Sequence, residues 1–192
     1  MTGTAYRRDL PHIFPLGAPI FVTWRLNGSL PEATPAELEA ISKLTPRERF
    51  TRIEKLLDGA RFGPRWQSDV RIAQVVCETI ECGHVQFARY SLHAYVVMSN
   101  HVHMLITPRY PMSEIMKSLK GVTARRANQI LGRTGQIFWR QESFDRWCRD
   151  DDHFRRIRDY IENNPVKVGA AESPQEFPWS SAHRGVAVPL GK

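Results

Sequence analysis

The sequence predicts an α+β fold in which a ferredoxin-like antiparallel sheet carries helices on one face. Stretches of β-branched and aromatic residues alternate with stretches whose apolar residues recur every three or four positions. The predicted order is strand, helices, strand, strand, helix, strand, helix, which allows the strands to form one sheet. A chain of 192 residues suits one well-packed domain and is too short for two. We therefore predict a single domain over 1–192, with 31–66 as a helical insertion and 170–192 as a C-terminal tail.

The first predicted strand is Ile20–Leu26, whose β-branched and aromatic side chains end at an Asn27-Gly28 turn. Two short helices are predicted to follow it. Threonine is a favoured helix cap and proline a favoured first helical residue, so Thr34-Pro35 and Thr45-Pro46 each indicate a helix start. These two helices make up the predicted insertion.

The middle of the chain is predicted to hold a helix and a β-hairpin. The helix begins at Ser68 and ends near Gly83, because its apolar residues repeat at intervals of three and four. Residues 91–98 and 101–107 are predicted strands, joined by a tight turn at Ser99-Asn100.

Three elements are predicted in the C-terminal part of the chain. Helical periodicity returns over Met112–Leu131, and residues 137–148 are predicted to be extended. Asp151-Asp152 are expected to cap a last helix. That helix is expected to run to Asn163 or Asn164, because Pro165 disfavours its continuation.

The charge of the chain favours a polyanionic partner. Lysine and arginine number 27 against 20 acidic residues, which gives a net charge of +7 and a pI near 9.7. Nucleic acid and an acidic membrane surface would both meet this expectation.

No stretch of the sequence suggests insertion into a membrane. The longest apolar runs are far shorter than the roughly 20 residues that a spanning helix needs, and the N-terminus lacks the apolar core of a signal peptide. We therefore expect a cytoplasmic protein with no membrane partner. Cys77, Cys82 and Cys148 are odd in number and lack the paired spacing of a zinc site, which predicts buried free thiols.

Two histidines open the second strand of the predicted hairpin. His101 and His103 are separated by one residue, and side chains alternate along a strand, so both imidazoles are expected to lie on the same face. Such a pair can bind a divalent metal and leave positions for substrate oxygens. It is equally consistent with ordinary sheet histidines. A nucleotide hydrolase motif with a third alternate histidine is disfavoured, because Leu105 occupies that position.

The last predicted helix contains the candidate nucleophile. Its apolar residues are spaced to face the core, and Tyr160 and Asn164, four residues apart, share one edge of that stripe. A tyrosine at such an edge is usually a packing residue. His153 lies two turns earlier and projects in a similar direction.

Five segments in order over most of the chain resemble the single-tyrosine HUH transposases of the IS200-like type, and within them the REP-associated tyrosine transposases. They are Arg7–His12, Phe21–Leu26, Met98–His103, Phe138–Gln141 and Asp159–Lys167. The resemblance implies a ferredoxin-like HUH endonuclease fold and an enzyme that cuts single-stranded DNA through a covalent 5′-phosphotyrosine.

Carried onto this sequence, the resemblance implies that His101 and His103 bind Mg²⁺ or Mn²⁺ and that Tyr160 attacks the scissile phosphate. The third ligand of the family lies about one turn after the tyrosine, which implies Asn164. His153 is the rival for that position. A phenol is a poor nucleophile at neutral pH until its anion is stabilised, which a metal would do.

The expected partner is single-stranded or hairpin DNA. The resemblance implies that this DNA is a REP-like palindrome. Basic residues outside the proposed catalytic group are expected to contact the DNA phosphates. Trp139 or Trp147 could stack on unpaired bases, or these tryptophans could lie in the core. The basic residues are Arg7, Arg8, Lys117, Lys120, Arg125 and Arg140.

Two other functions are considered. One is a DNA-binding regulatory module that keeps the fold but does not cut, whose expected signature is a lost histidine or tyrosine. The other is a metal-dependent phosphoesterase for small nucleotides, for which Tyr160 would be dispensable. The family contains both monomers and homodimers, and no residue in the sequence distinguishes these two states.

Overall fold

The computed structural model describes residues 4–7, 11–14, 17–31, 34–59 and 62–185. The predicted DNA contact Arg8 lies outside these residues, and Arg7 is described only by its place in a strand. The strands are β1 (Thr4–Arg7), β2 (Pro11–Phe14), β3 (Ile20–Arg25), β4 (Tyr90–Val97), β5 (His101–Pro108) and β6 (Phe144–Trp147). The helices are α1 (Pro35–Ser42), α2 (Pro46–Gly59), α3 (Val70–Val85), α4 (Met112–Ile130), α5 (Asp151–Lys167) and α6 (Ser181–Arg184).

A four-stranded antiparallel sheet forms the centre of the fold, in the order β4-β5-β3-β6. Strand β3 pairs with β5 so that Thr23 lies opposite His103 and Arg25 opposite His101. Strands β1 and β2 pair with each other in a separate two-stranded sheet. The predicted α+β class with one main antiparallel sheet is therefore confirmed.

Helices pack against both faces of this sheet, so the expectation of helices on one face was wrong. Alternate residues of β3 and β5 join α3 and α4 in one core. The remaining residues of these strands, including Phe21 and Leu105, pack with Phe154, Ile157 and Ile161 of α5. The cause is that β3 and β5 carry apolar residues on both faces, with Phe21 and Leu105 on the second face, and each apolar surface needs its own cover. The two histidines lie on the α5 face.

The predicted helix starts are confirmed in the insertion. Thr34 forms a capping box with Glu37 at the start of α1, and Thr45 bonds Glu48 in the same way at the start of α2. Helix α2 has 14 residues and is longer than the short helix predicted. Leu57 and Glu54 of this helix are buried, and Phe50 packs against the core that α5 forms with the sheet.

Helix α5 does not stop before Pro165, as the sequence predicted, but continues to Lys167. Pro165 lies in the last turn, where few further helical bonds remain to be lost. Its side chain and that of Asn164 are buried, so packing favours the continued helix. Val168 caps the helix and Gly169 follows it, with a φ of +72° that glycine adopts without strain. Asp150 caps the other end by accepting the His153 N–H at 2.7 Å.

The described part of the C-terminal tail packs along the edge strand β4. The Val97 N–H donates to the Trp179 carbonyl at 2.8 Å, and Ser180 forms a bridge with Val96. Arg184 forms an ion pair with Glu81 of α3. These contacts cover backbone groups that an edge strand would otherwise leave unpaired.

Only part of the stretch predicted to be extended, 137–148, forms a strand, namely β6. Trp139 makes an isolated bridge with Leu26, and its indole N–H donates to Thr123 at 2.8 Å, which places Trp139 in the core. Trp147 is partly buried against the same core. Among the described residues, no helix is long and apolar enough to cross a membrane.

Candidate active site

The two histidines at the start of β5 lie side by side on one face, as the alternation of side chains along a strand predicted. His101 and His103 are almost completely buried, and their Nε2 atoms are 3.0 Å apart. Because β5 is an inner strand of the sheet, the backbone holds both rings in fixed positions.

The other ring nitrogen of each histidine is held by a neighbouring oxygen. The Nδ1–H of His101 donates to the Asn100 side-chain oxygen at 2.7 Å, and Nδ1 of His103 is hydrogen-bonded to the Thr23 hydroxyl at 2.8 Å. The amide nitrogen of Asn100 in turn donates to the Leu57 carbonyl of α2. A hydrogen bond at Nδ1 leaves Nε2 available as a metal ligand, which is the common arrangement around protein-bound metals.

Burial also keeps His101 in the form that binds metals. Its complete burial lowers the pKa to about 3, and the nearby His103 adds to this effect. At neutral pH the imidazole of His101 is therefore uncharged and carries a lone pair.

Helix α2 contributes a carboxylate that the sequence reasoning missed. Glu54 is 4% exposed, and its Oε2 lies 3.1 Å from His103 Nε2 while accepting a hydrogen bond from the Tyr160 hydroxyl. Burial alone would raise the pKa of Glu54, but His103, His101 and Tyr160 together outweigh it and lower the pKa to about 2. The carboxylate is therefore charged at neutral pH.

A weak signal for Glu54 was present in the sequence. Phe50, Glu54 and Leu57 recur at intervals of four and three, so the glutamate interrupts an apolar helix face. A buried acidic residue needs a partner, and the partner here comes from β5, far away in the chain.

Glu54, His101 and His103 together fit a divalent metal ion. One ligand atom from each lies within 4.8 Å of the others, and no other such group of histidine, cysteine or acidic residues occurs among the described residues. Two imidazole nitrogens facing each other at 3.0 Å, with a carboxylate whose Oε1 has no described hydrogen-bond partner, are well suited to a shared cation. Mixed nitrogen and oxygen ligands are compatible with Mg²⁺ or Mn²⁺ and do not identify the ion.

Tyr160 on α5 lies beside this group. Its ring centroid is 5.4 Å from that of His103, and its hydroxyl donates to Glu54. Burial raises the pKa of Tyr160, and the negative charge of Glu54 raises it further. The phenol therefore stays protonated unless positive charge is added nearby.

The structure places the two candidates for a further ligand differently. Asn164 is fully buried near the Tyr160 hydroxyl, yet neither its Oδ1 nor its Nδ2 has a hydrogen-bond partner of normal geometry among the described residues. Such an orphaned amide indicates space for a further group. His153 is outside the Glu54 group, and its Nδ1 instead accepts the Arg149 backbone N–H.

Four of the predicted DNA contacts lie around α4 and the segment that follows it. Lys117, Lys120 and Arg140 line one cavity between α4 and residues 136–143, and Arg125 lies with Lys117 in the adjoining shallow depression. Lys120 also donates to the backbone carbonyls of residues 140, 141 and 142, so its ammonium group holds that segment on α4. Their contact with DNA stays a prediction.

Comparison with known proteins gave a family and a structural neighbour. The model of the family described as "Transposase IS200 like" matches residues 68–164, just over half of the chain, which include His101, His103, Tyr160 and Asn164 but not Glu54. A comparison with curated proteins gave no match.

Two solved structures are similar to the chain. A REP-associated tyrosine transposase bound to a REP hairpin has 16% identity and a TM-score of 0.56, covering 98% of this chain and 92% of that one. A candidate transposase from Deinococcus radiodurans R1 has 16% identity and a TM-score of 0.38, covering 85% of this chain and 97% of that one. The first shows that the fold is shared.

Proposed function

The chain belongs to the IS200-like transposase family, and on that premise we propose that it nicks and rejoins single-stranded DNA with Tyr160 as the nucleophile. His101, His103 and Glu54 would hold Mg²⁺ or Mn²⁺. The observation that carries the proposal is that the Tyr160 hydroxyl and His103 Nε2 both contact the buried carboxylate of Glu54, with His101 Nε2 only 3.0 Å from His103 Nε2. The solved neighbour is bound to a REP hairpin, which supports a REP-like hairpin as the substrate.

The proposed reaction exchanges one phosphodiester for another. The Tyr160 oxygen attacks the scissile phosphorus and the bond from phosphorus to the 3′ oxygen breaks, which leaves the 5′ phosphate on the tyrosine and a free 3′ hydroxyl. The phenol loses its proton and the departing 3′ oxygen gains one, so the step needs no ATP. Attack by a DNA 3′ hydroxyl on the phosphotyrosine reverses the reaction and joins the strands.

Each residue of the site has a separate part in this reaction. When bound, a divalent ion supplies the positive charge that polarises the scissile phosphate and favours the tyrosine anion. His101 and His103 are held by Asn100 and Thr23, so their Nε2 atoms need no rearrangement to bind an ion. Glu54 fixes the Tyr160 hydroxyl beside them.

The insertion is part of the proposed catalytic domain. Helix α2 provides Glu54, and its Leu57 carbonyl holds Asn100. We therefore propose that 1–192 acts as one domain and that the helical segment within 31–66 completes the site.

A labelled hairpin oligonucleotide with a single-stranded extension tests the proposed function. With Mg²⁺ or Mn²⁺, we expect a protein–DNA adduct on a denaturing gel that retains label from the 3′ side of the cut and releases the 5′ fragment with a 3′ hydroxyl. EDTA is expected to prevent the adduct. Hairpin binding without any adduct would instead support the non-cutting regulatory module, and hydrolysis of small nucleotides without an adduct would support a phosphoesterase.

Glu54→Gln is expected to weaken Mn²⁺ binding by at least roughly tenfold, because the charged ligand is lost while the size of the side chain is kept. Mn²⁺ titration followed by electron paramagnetic resonance measures this without any DNA. Glu39→Gln on α1 removes an exposed carboxylate and serves as the control, with unchanged affinity.

Asn164→Ala in the same titration identifies the remaining ligand. A loss of affinity in both Glu54→Gln and Asn164→Ala would show that both side chains bind the ion. Wild-type affinity in Glu54→Gln, with a loss in Asn164→Ala, would contradict the role proposed for Glu54.

A further inference from the structure

A cavity of about 460 Å³ opens beside Tyr160. Tyr160 forms part of its wall, and the rest comes from the start of α2, strand β6 with the residues after it, and the first turns of α5. Four arginines line it, namely Arg47, Arg146, Arg149 and Arg156. A volume of this size is typical of sites for small ligands.

The arginines of this cavity are free of ion pairs in the described part of the chain. Among the described residues, none of its four guanidinium groups forms an ion pair with a carboxylate, whereas the neighbouring Arg155 and Arg158 are both paired on the same helix. Arg47, Arg149 and Arg156 are exposed, and Arg146 is half-buried. Asp145 and His153 are the other titratable side chains in the lining besides Tyr160. Unpaired guanidinium groups around a concave surface are suited to phosphate oxygens.

Aromatic rings also line the arginine cavity. Phe50 and Phe144 stack on each other with centroids 4.4 Å apart, and Phe21 meets Phe50 edge-on. Phe50 and Phe144 are only half-buried, so part of the ring surface faces the cavity. Aromatic rings beside cationic groups are the combination that binds unpaired bases and their phosphates.

We propose that this arginine cavity binds one unpaired nucleotide next to the scissile phosphate, with its base against Phe50 and Phe144 and its phosphate on the arginines. The proposal rests on the proposed function, because it takes Tyr160 as the point of attack. A single strand is favoured over a duplex since a paired base cannot enter a cavity and stack on its wall. The cavity would thus determine which phosphate reaches Tyr160.

Two adjacent arginines of α5 provide a matched test. Arg156 lines the arginine cavity, whereas Arg155 is also exposed but is paired with Asp152 outside it. Binding of a fluorescent single-stranded oligonucleotide is measured by anisotropy in EDTA over a series of salt concentrations. We expect Arg156→Gln to weaken binding several-fold and to reduce the salt dependence by about 0.7 in log–log slope, as for one lost phosphate contact. Arg155→Gln is expected to match the wild type.

Stacking of the base in the cavity is tested with 2-aminopurine, a base analogue whose fluorescence is quenched when it stacks. Placed in turn at each position flanking the scissile phosphate, it should be quenched strongly at one position, and Phe144→Leu should relieve that quenching. Equal binding by Arg156→Gln and Arg155→Gln, or equal losses for single-stranded and duplex DNA, would overturn the proposal.

The outcomes separate this proposal from the proposed function. If wild-type protein forms no adduct while Arg156→Gln selectively weakens single-strand binding, the nicking function fails and the nucleotide site stands. If the adduct forms and Arg156→Gln behaves like Arg155→Gln in binding, the nucleotide site fails and the nicking function stands.

Discussion

Replacing Tyr160 with phenylalanine abolishes the covalent protein–DNA adduct and lowers nicking by on the order of 10³-fold or more, the scale expected when a covalent mechanism loses its nucleophile. The phenyl ring keeps its packing against Phe21 and His103. Only the hydroxyl and its hydrogen bond to Glu54 are removed. The adduct is measured on a denaturing gel with end-labelled hairpin DNA, and nicking by the appearance of the shorter strand.

Measuring Mn²⁺ affinity distinguishes loss of the nucleophile from loss of the metal-binding group. Tyr160→Phe should bind Mn²⁺ with close to wild-type affinity, because the two histidines and Glu54 remain. The lost hydrogen bond to a charged group costs about 1.5–3 kcal/mol of unfolding free energy, so a thermal melt must show that the variant is folded under assay conditions. A wild-type yield of adduct from Tyr160→Phe would disprove the proposed nucleophile.

Replacing His103 with alanine has the second large effect, because it removes a ligand nitrogen and a close partner of Glu54 together. The Glu54 carboxylate is buried and lies 3.1 Å from His103 Nε2. Removing a hydrogen-bonding partner from a buried charged group costs about 1.5–3 kcal/mol of unfolding free energy. We expect the melting temperature without metal to fall, Mn²⁺ to stabilise the variant no further, and nicking to be lost.

The comparison of melting curves makes this prediction specific. Ligand binding to the folded state raises the melting temperature, so wild-type protein should be stabilised by added Mn²⁺. His93→Ala removes another buried histidine of the same face, one that is absent from the metal-binding group. It should lose stability and keep the response to Mn²⁺. A response to Mn²⁺ in His103→Ala equal to that of the wild type would contradict the role of His103 as a ligand.

Local sequence features predicted most elements of the fold. The capping threonines of α1 and α2 and the Ser99-Asn100 turn each act over a few residues, and the structure confirms their places. Pro165 also acts locally, but its effect was overridden because burial in the last turn of α5 favours the longer helix. The number of covered sheet faces could not be predicted, since it depends on which distant helix meets which strand.

The sequence by itself determined that His101 and His103 share a face, because alternation along a strand follows from backbone geometry. It also indicated the edge of α5 that carries Tyr160 and Asn164, because a helix brings residues four apart together. The entry of Glu54 into the site was decided only by the tertiary structure. Its partners Tyr160 and His103 are 106 and 49 positions away in the chain, and no local rule relates α2 to β5 or α5. Contacts of that range form only when packing of the whole chain brings their elements together.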